Sequence, residues 1–596
     1  MKKILALLLA AALLVALAAC GGGGDKTPAS SNPPQQSSSD GEPPPASGAA
    51  GTPDGAPKYG GTATVYYPKF YNYFDPSMMD QYQFAFWYET LWTIDWGLNN
   101  PSAYNFGPGL CPLQYCAGQL AVDTGALDTS AGTLTVKLRD DVHFQDGAPY
   151  NDRLFVANDV VWSYSRLLGL NGMDKVDTEF DWSRSVNMIS GISAPDDHTV
   201  VFTFLPGMAN EVSLTQLVNA RVNIAGPEWD QLTDAQKGDW HNAKGTGPYI
   251  LTDYVPDNSM TFTRNDNYYG YDERHPENKL PYIDTINLVY IADSSQVLAQ
   301  TQAGRLDWFG ENGKDVVSLD QINQISSMNV GTVYPFAAGS PASIALKVCQ
   351  EQFSDIRVRQ AMQLAIDLQA INQYLGDSGD PIVPGLWSTA LTTWSTVNEW
   401  PADLKAQFTT KTSDLAANQA KAKQLLTDAG YPDGFTFEIE LDPTANLDLF
   451  QVAASYLQQI GITMNISVAP EMMQAVQDSQ NKDDPRQSNG FGGGFGEYML
   501  AAMMTGNGPM PNAYGHNDTG YLDQLDAMGV ATAADEQAKI ARQLDQYFPT
   551  QHWAVLVAGV QPNYDFMSSR IGGFNGEKVY YNDNMRTIWA RVWINQ

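Results

Sequence analysis

The residue types that most often form catalytic centres are present but scattered. The six histidines stand singly along the chain, and none belongs to an H-E-x-x-H pattern. No G-x-S-x-G nucleophile elbow occurs. The chain carries 66 Asp and Glu residues, and two carboxylates held close together can hydrolyse a glycosidic bond. The sequence does not show which carboxylates lie close together in space. We therefore predict no catalytic residue, and the isolated histidines predict no metal site; no cofactor is expected. A secreted glycoside hydrolase is the competing class of protein.

Aromatic side chains in loops offer a different chemistry, because a ring can stack on a ligand and bury much of its surface. Several stand beside Asn, Gly or Pro, and others lie in a glycine-rich string at residues 490–496. Their alternative role is ordinary core packing. The candidate ligand-binding residues are Tyr71, Tyr73, Trp92, Trp96, Trp387, Trp394, Phe491, Phe495, Glu497 and Tyr498.

The N-terminus has the pattern of an export signal. Lys2 and Lys3 precede an apolar run that is short for a membrane span. The string Leu-Ala-Ala-Cys that ends at Cys20 resembles a bacterial lipobox, so we predict a lipoprotein signal peptide over 1–20 and lipidation of Cys20. An ordinary secretory signal is the alternative. Residues 21–58 are rich in Gly, Pro and Ser, which predicts a disordered linker with an end-to-end distance of about 35 Å.

Charge and cysteine content also fit an exported protein. The formal net charge of −32 argues against nucleic acid, which needs a basic face. It favours solubility, with attraction of cationic solutes as a sharper alternative. Cys111 and Cys116 enclose a short loop, and we keep a local disulfide as a possible pairing.

The segment from Leu134 to Leu168 shows how the chain alternates between strand and helix. Leu134, Val136 and Leu138 alternate with polar residues, which predicts a half-buried strand. An Asp146-Gly147 turn and an amphipathic helix follow, and Gly169 is placed to end that helix.

Longer strings in the chain resemble the family 5 solute-binding proteins, the extracellular receptors of ABC importers for peptides, nickel and related solutes. The resemblance rests on V-x-F-x-D-G-x-P at 142–149, A-x-D-V-V at 157–161, G-T-G-P-Y at 245–249 and F-S-D-I-R-V-R-Q-A at 353–361. In the last string, Ser354 is the predicted N-cap of a helix. Val156 departs from the family, since it stands where a capping Thr or Ser is usual.

The resemblance implies an α/β, two-lobed periplasmic-binding-protein-like fold of the cluster C type with an extra subdomain in the first lobe. We expect lobe I at 59–300, with an inserted subdomain at about 81–225. Lobe II is expected at 301–547, and a C-terminal return to lobe I at 548–596, ending in a strand over residues 589–593. Within lobe II, a strand, a helix and a strand between Thr436 and Val468 predict a βαβ unit with parallel strands.

The function implied is capture of a solute in the cleft between the lobes and delivery to an ABC permease with its cytoplasmic ATPases. Oligopeptides are the expected solutes, with oligosaccharides as a rival. In the peptide-binding branch, a loop that aligns near Gly494 carries an Asp that pairs with the peptide amine; here Glu497 could substitute. The receptor is expected to be a monomer, lipid-anchored on the outer face of the cytoplasmic membrane.

Overall fold

The structure is a computed structural model. It describes residues 55–67, 74–77, 82–98, 113–176, 186–220, 222–310, 319–336, 342–375, 401–471 except 444, 563–577 and 588–595, with parts of 478–559. All of these belong to one unit, Gly51–Gln596.

The strands are named in chain order. They are β1 Thr62–Tyr67, β2 Trp92–Ile94, β3 Cys116–Gly118, β4 Ala126–Asp128, β5 Thr133–Lys137, β6 Ile189–Asp196, β7 Thr199–Phe204, β8 Tyr249–Val255, β9 Ser259–Arg264, β10 Thr285–Tyr290, β11 Trp308–Phe309, β12 Gly331–Phe336, β13 Ala342–Ala345, β14 Thr436–Leu441, β15 Thr463–Val468, β16 Gln487–Asn489, β17 Val555–Gly559, β18 Asn563–Ser568, β19 Ile571–Gly572 and β20 Trp593–Ile594.

The α-helices are α1 Ala157–Leu168, α2 Glu211–Val218, α3 Asp234–Lys237, α4 Ser294–Gln302, α5 Leu319–Ser327, α6 Glu351–Ser354, α7 Ile356–Ala365, α8 Leu368–Leu375, α9 Ala402–Phe408, α10 Leu415–Asp428, α11 Leu447–Gln458 and α12 Trp589–Arg591. Short 3-10 turns lie at Tyr82–Phe86, Trp96–Leu98, Leu113–Tyr115, Pro227–Gln231, Trp240–Asn242 and Thr412–Asp414. In the part of the chain that the structure describes, none of the helices combines the length and the apolar character needed to cross a bilayer.

Two large sheets organise the fold. The first has seven strands in the order β12-β18-β11-β1-β10-β9-β8, and the second has five in the order β15-β14-β16-β13-β17. In the first sheet, β1 is parallel to β10 and β11, while β18 runs antiparallel between β11 and β12. An antiparallel four-stranded sheet, β4-β5-β7-β6, and two two-stranded ladders complete the described strands.

Separate hydrophobic cores support the two large sheets. One core packs between one face of the first sheet and the four-stranded sheet, and it includes Val65, Trp87, Val136, Phe202 and Trp589. A second core covers the opposite face of the first sheet. A third belongs to the second sheet and its helices. The first two cores belong to one sheet and the third to the other, and this separation explains why the chain forms two lobes.

The helix that follows the Asp146-Gly147 turn forms as its sequence predicts. Gly147 and Gly169 have φ of 102° and 71°, the left-handed region that glycine tolerates. Val156 has no capping side chain, and the carboxylate of Asp159 accepts the Val156 N–H at 2.9 Å instead. Asp159 therefore supplies the N3 half of a capping box, in which the carboxylate accepts the backbone N–H of the N-cap residue.

The βαβ unit of the second sheet confirms the predicted parallel pairing, with Thr436 opposite Thr463 and Leu441 opposite Val468. Two glycines let the turns at its base touch. A Cβ on Gly434 would lie 2.0 Å from the carbonyl oxygen of Gly461. A side chain at residue 434 would therefore force the unit apart.

The chain passes between the large sheets at two neighbouring places. One passage lies between Phe336 and Ala342, and the other lies between Gly559 and Asn563. The strands at 308–336 thus pair in the first sheet, after the predicted lobe boundary at 301. β17 still belongs to the second sheet, after the predicted boundary at 548. The lobe boundaries themselves remain predictions.

Candidate functional site

One end of the first sheet is built from the carboxyl ends of its parallel strands. β1, β10, β11 and β12 all finish there, and β18 begins there. We call this end the junction edge, since both passages to the second sheet leave from it. In open α/β sheets, ligands bind outside the carboxyl ends of the strands.

Five residues lie side by side across the junction edge. Asp565 pairs with Tyr334, and Tyr67 pairs with Tyr290. The register of β11, continued by one residue, sets Gly310 between Asp565 and Tyr67. We call these five residues the terminal row. Because residues paired across a sheet point to the same face, the row combines three tyrosines, one carboxylate and one glycine on one surface.

The carboxylate of Asp565 extends over Gly310. A Cβ built on Gly310 would stand 1.8 Å from the Oδ1 atom of Asp565. Gly310 does not have a positive φ, so space rather than backbone conformation requires glycine here. Asp565 is 5% exposed, which makes it a buried acidic group at the end of β11.

The tyrosines beside Asp565 are largely buried. The ring of Tyr334 packs edge-on against Phe574, with centroids 5.1 Å apart, and over Gly576. Burial, with a smaller contribution from the negative charge of Glu577, raises the pKa of Tyr334. The phenol therefore stays neutral at physiological pH, and its ring presents an electron-rich face.

The second sheet also directs carboxyl ends of strands towards the junction. β14, β15 and β16 are parallel to one another, and β13 begins where β16 ends. Ala342 pairs with Gly559, so the chain enters and leaves this sheet at one place. From Gly559 to Asn563 is four residues, which span at most about 14 Å. The two sets of carboxyl ends are therefore held near each other.

A buried ion pair fixes the chain just after β1. Arg166 of α1 holds Asp75 through two parallel hydrogen bonds of 2.7 Å, and it also contacts the Ser77 hydroxyl. Burial opposes ionisation of Asp75, but the hydrogen bonds and charge of Arg166 outweigh it and lower the pKa of Asp75. Residues 74–77 are thereby anchored to α1, which packs against β6 and β7 of the four-stranded sheet.

A second charged cluster supports β16. Arg486 pairs with Asp484 at 2.6 Å and Asp478 at 3.1 Å, and it also contacts Glu440 of β14. Lys347, which is 1% exposed, donates to the carbonyl oxygens of Asn481 and Asp484. Burial and the neighbouring Asp478 raise the pKa of Glu440, and they outweigh the charge of Arg486, which lowers it. These contacts tie the segment that precedes β16 to the sheet.

Of the sequence-predicted site residues, Trp92 and Trp96 lie within the described chain. Both are buried in the first core, at 4% and 1% exposure. The indole of Trp92 donates to the carbonyl oxygen of Asp123, and the Arg274 guanidinium lies 4.0 Å over the ring of Trp96. Both rings therefore pack inside the protein, and this placement does not bring them to the junction edge.

The other predicted residues lie outside the described residues. They are Tyr71, Tyr73, Trp387, Trp394, Phe491, Phe495, Glu497 and Tyr498, with Cys20 for lipidation and Cys111 of the possible disulfide; Cys116, the other half of that pair, is described. Among the described residues, no group of three or more His, Cys, Asp or Glu side chains is arranged to hold a metal ion.

Sequence reasoning missed the terminal row. The alternation of β1 does predict that Tyr67 shares a face with Val65. Asp565, however, gives no local signal, because its position depends on β18 inserting between β11 and β12. That pairing joins residues more than 220 positions apart.

The fold and the junction edge define a class: a two-lobed α/β binding protein of the periplasmic type. The family model described as bacterial extracellular solute-binding proteins, family 5 Middle, matches residues 117–510. The chain belongs to this family.

Three curated relatives illustrate the match. Heme-binding protein A of Haemophilus influenzae is 25% identical over 52% of this chain and 53% of the relative. The oligopeptide-binding protein AppA of Bacillus subtilis is 24% identical over 56% of this chain and 58% of its own. A dipeptide-binding protein of Pseudomonas aeruginosa is 27% identical over 51% and 53%. The chain spans about half the length of the curated relatives it matches.

Solved structures are similar over a larger share of the chain. The periplasmic binding protein DppA from Helicobacter pylori, in complex with the peptide STSA, has a TM-score of 0.70 at 18% identity and covers 90% of this chain and 99% of its own. AppA from Bacillus subtilis, in complex with a nonapeptide, has a TM-score of 0.67 at 18% identity and covers 91% and 100%. These likenesses confirm the predicted fold class.

Proposed function

We propose that this protein is an extracytoplasmic receptor of an ABC importer, which captures an oligopeptide between its lobes and delivers it to a permease. The observation that carries the proposal is the family match over residues 117–510. The junction edge supports it, because carboxyl ends of strands from both sheets meet at one place. Relatives that share the family include proteins named for oligopeptide and dipeptide binding.

The mechanism follows from the two passages between the sheets. A solute that contacts both lobes favours the closed arrangement by the difference between its affinities for the closed and open states. Because neighbouring strands carry both passages, closure is a rotation of one lobe against the other about them. The closed form then docks on the permease, whose cytoplasmic ATPases drive import.

The proposal includes the location of the receptor. Lipidation of Cys20 would anchor the receptor on the outer face of the cytoplasmic membrane, with residues 21–58 as the tether. The receptor itself is proposed to be a monomer. Metabolic labelling with a palmitate analogue tests the anchor: wild type should be labelled, and Cys20→Ser should not. Equal labelling of both proteins would contradict lipidation at this residue.

The solute class is tested by isothermal titration of the purified protein with peptides of two to nine residues and with oligosaccharides. We expect binding of peptides in a 1:1 ratio, and a bound peptide at 100 times its Kd should stabilise the fold by about 2.7 kcal/mol. Binding of oligosaccharides alone would instead favour the rival solute, consistent with the tyrosines of the terminal row.

The same samples separate a receptor from a hydrolase. Mass spectrometry of the ligands after prolonged incubation should recover them unchanged. Cleaved glycans or peptides in amounts above one per protein molecule would overturn the assignment as a receptor.

A further inference from the structure

We propose that Glu440 and Asp478 share one proton, and that this proton makes the lobe of the second sheet more stable in mild acid than at neutral pH. The inference goes beyond the proposed function, since it does not depend on the solute. Three carboxylates, those of Glu440, Asp478 and Asp484, contact the guanidinium of Arg486. We call these four residues the Arg486 cluster. With all three carboxylates ionised, Arg486 balances one of three negative charges.

Lys347 adds a second positive charge beside the cluster. Its ammonium donates to two main-chain carbonyl oxygens at 2.8 and 3.1 Å. The hydrogen bonds from Arg486, helped by the charge of Lys347, lower the pKa of Asp484 against the effect of burial. Asp484 therefore stays ionised. Three carboxylates and two cations leave one negative charge, which a single proton on Glu440 or Asp478 neutralises.

The position of the Glu440 carboxyl group favours a shared proton. Glu440 is 8% exposed, and its Oε1 atom accepts from Arg486. Its Oε2 atom is buried, and no described group donates a hydrogen bond to it. The Asp478 carboxyl group lies within hydrogen-bonding reach of Glu440, but two ionised carboxylates can only accept. A proton on one of them replaces their repulsion by a short O–H···O⁻ hydrogen bond.

The cluster acts on the lobe through β16. This strand has three residues, and it joins β14 on one side to β13 on the other in the middle of the second sheet. Arg486 directly precedes β16, and the partners of Glu440 across the sheet, Ser467 and Ser488, are uncharged. Repulsion between Glu440 and Asp478 would therefore push the segment before β16 away from β14. The shared proton removes this repulsion.

The direction of the pH effect follows from the state that holds the proton. A glutamate in an unfolded chain has a pKa of about 4.3, and in the folded lobe burial and then Asp478 raise the pKa of Glu440. Between the two pKa values, the folded lobe binds one proton more than the unfolded chain. Its contribution to stability is therefore complete at lower pH and is lost as pH rises through the folded pKa. One proton changes the unfolding equilibrium constant by up to about tenfold per pH unit.

The test is urea denaturation of the full-length protein, followed by circular dichroism, between about pH 5 and pH 8. Glu440→Gln keeps the size of the side chain and has no proton to release. The readout is the unfolding constant of wild type divided by that of Glu440→Gln, for the transition of the lobe of the second sheet. Comparison at each pH cancels titrations that the two proteins share. This ratio should rise with pH, by up to about tenfold per unit, and then level off.

Glu438→Gln is the matched control. Glu438 lies two residues earlier on β14, on the same face of the strand, and is exposed. The ratio for this variant should not change with pH. If Glu440→Gln does not fold, Asp478→Asn provides the same comparison, since it removes the partner of the shared proton.

A ratio for Glu440→Gln that stays constant with pH would overturn the inference. An equal rise for Glu438→Gln would also overturn it, because the effect would then come from general surface charge. Solute binding enters none of these measurements. Failure of this inference therefore leaves the proposed receptor function in place, and failure to bind peptides would leave the shared proton in place.

Discussion

The ion pair between Arg166 and Asp75 gives a quantitative test of how much a partly buried charge pair stabilises the chain after β1. The side chains are 11% and 22% exposed and joined by two hydrogen bonds. Replacing Arg166 by Met keeps much of the apolar stem but leaves the Asp75 carboxylate buried without its partner. Loss of one partner of a buried pair costs about 3–5 kcal/mol, and an exposed pair about 0–1 kcal/mol. Since this pair is partly exposed, we expect a loss of about 2–4 kcal/mol.

An exposed pair in the same protein provides the control. Arg357 and Asp355 form a contact of 2.5 Å, shorter than the 2.7 Å of Arg166 and Asp75, but their side chains are 45% and 29% exposed. Arg357→Met should therefore cost less than about 1 kcal/mol. Asp75→Asn combined with Arg166→Met should cost less than the sum of the two single changes, because Arg166→Met alone leaves the Asp75 carboxylate unpaired and the double change does not.

The measurement is urea denaturation followed by circular dichroism and tryptophan fluorescence. The two lobes have separate cores, so each variant is assigned to the transition of the lobe that contains it. Equal destabilisation by Arg166→Met and Arg357→Met would refute the reasoning, since burial would then not determine the strength of the pair. A fully additive double variant would refute the coupling between Arg166 and Asp75.

Three further predictions follow from particular contacts. Gly434→Ala should destabilise the second lobe by about 1–3 kcal/mol more than Gly430→Ala. Both glycines have positive φ, but nothing lies within 4 Å of a Cβ on Gly430. Equal losses in urea denaturation would contradict the steric argument. Because the pKa of Asp75 is lowered in the folded state, its contribution is present above about pH 4 and is lost as pH falls through the folded pKa. Unfolding free energies between pH 5 and 2.5 should show this loss in wild type and not in Asp75→Asn. Arg274→Met should cost about 3 kcal/mol in thermal or urea unfolding, because it strands the fully buried Glu577; a loss under 1 kcal/mol would contradict this.

Local elements were predictable because their signals are local. The period-2 alternation predicted β5 and β14, and 3.6-residue periodicity with a following glycine predicted α1. The failures are also local in origin. Ser354 was predicted to cap α7, but the chain makes a short helix through Ser354, and the neighbouring Asp355 accepts the Arg357 N–H instead. The predicted C-terminal strand at 589–593 is wrong in its first half, which forms the helical turn α12 before β20.

The candidate site was less predictable than the fold, for a different physical reason. The chemistry of aromatic side chains makes them good candidates for ligand contacts. The rings of Trp92 and Trp96, however, are buried in the first core. Burial depends on what other segments pack over a residue, and the sequence does not state it. The place of Asp565 in the first sheet is set by β11 and β12, which flank its strand, and not by its neighbours in the chain.

The position of β18 has a consequence for the order in which the protein can be assembled. This strand fills the gap between β11 and β12, yet it comes almost last in the chain. During synthesis, all strands of the second sheet are made before β18 can complete the first sheet. Until residues 563–568 are made, the first sheet lacks the strand that pairs with both β11 and β12. The first lobe therefore depends on the nearly complete chain, and it cannot form as a separate N-terminal domain.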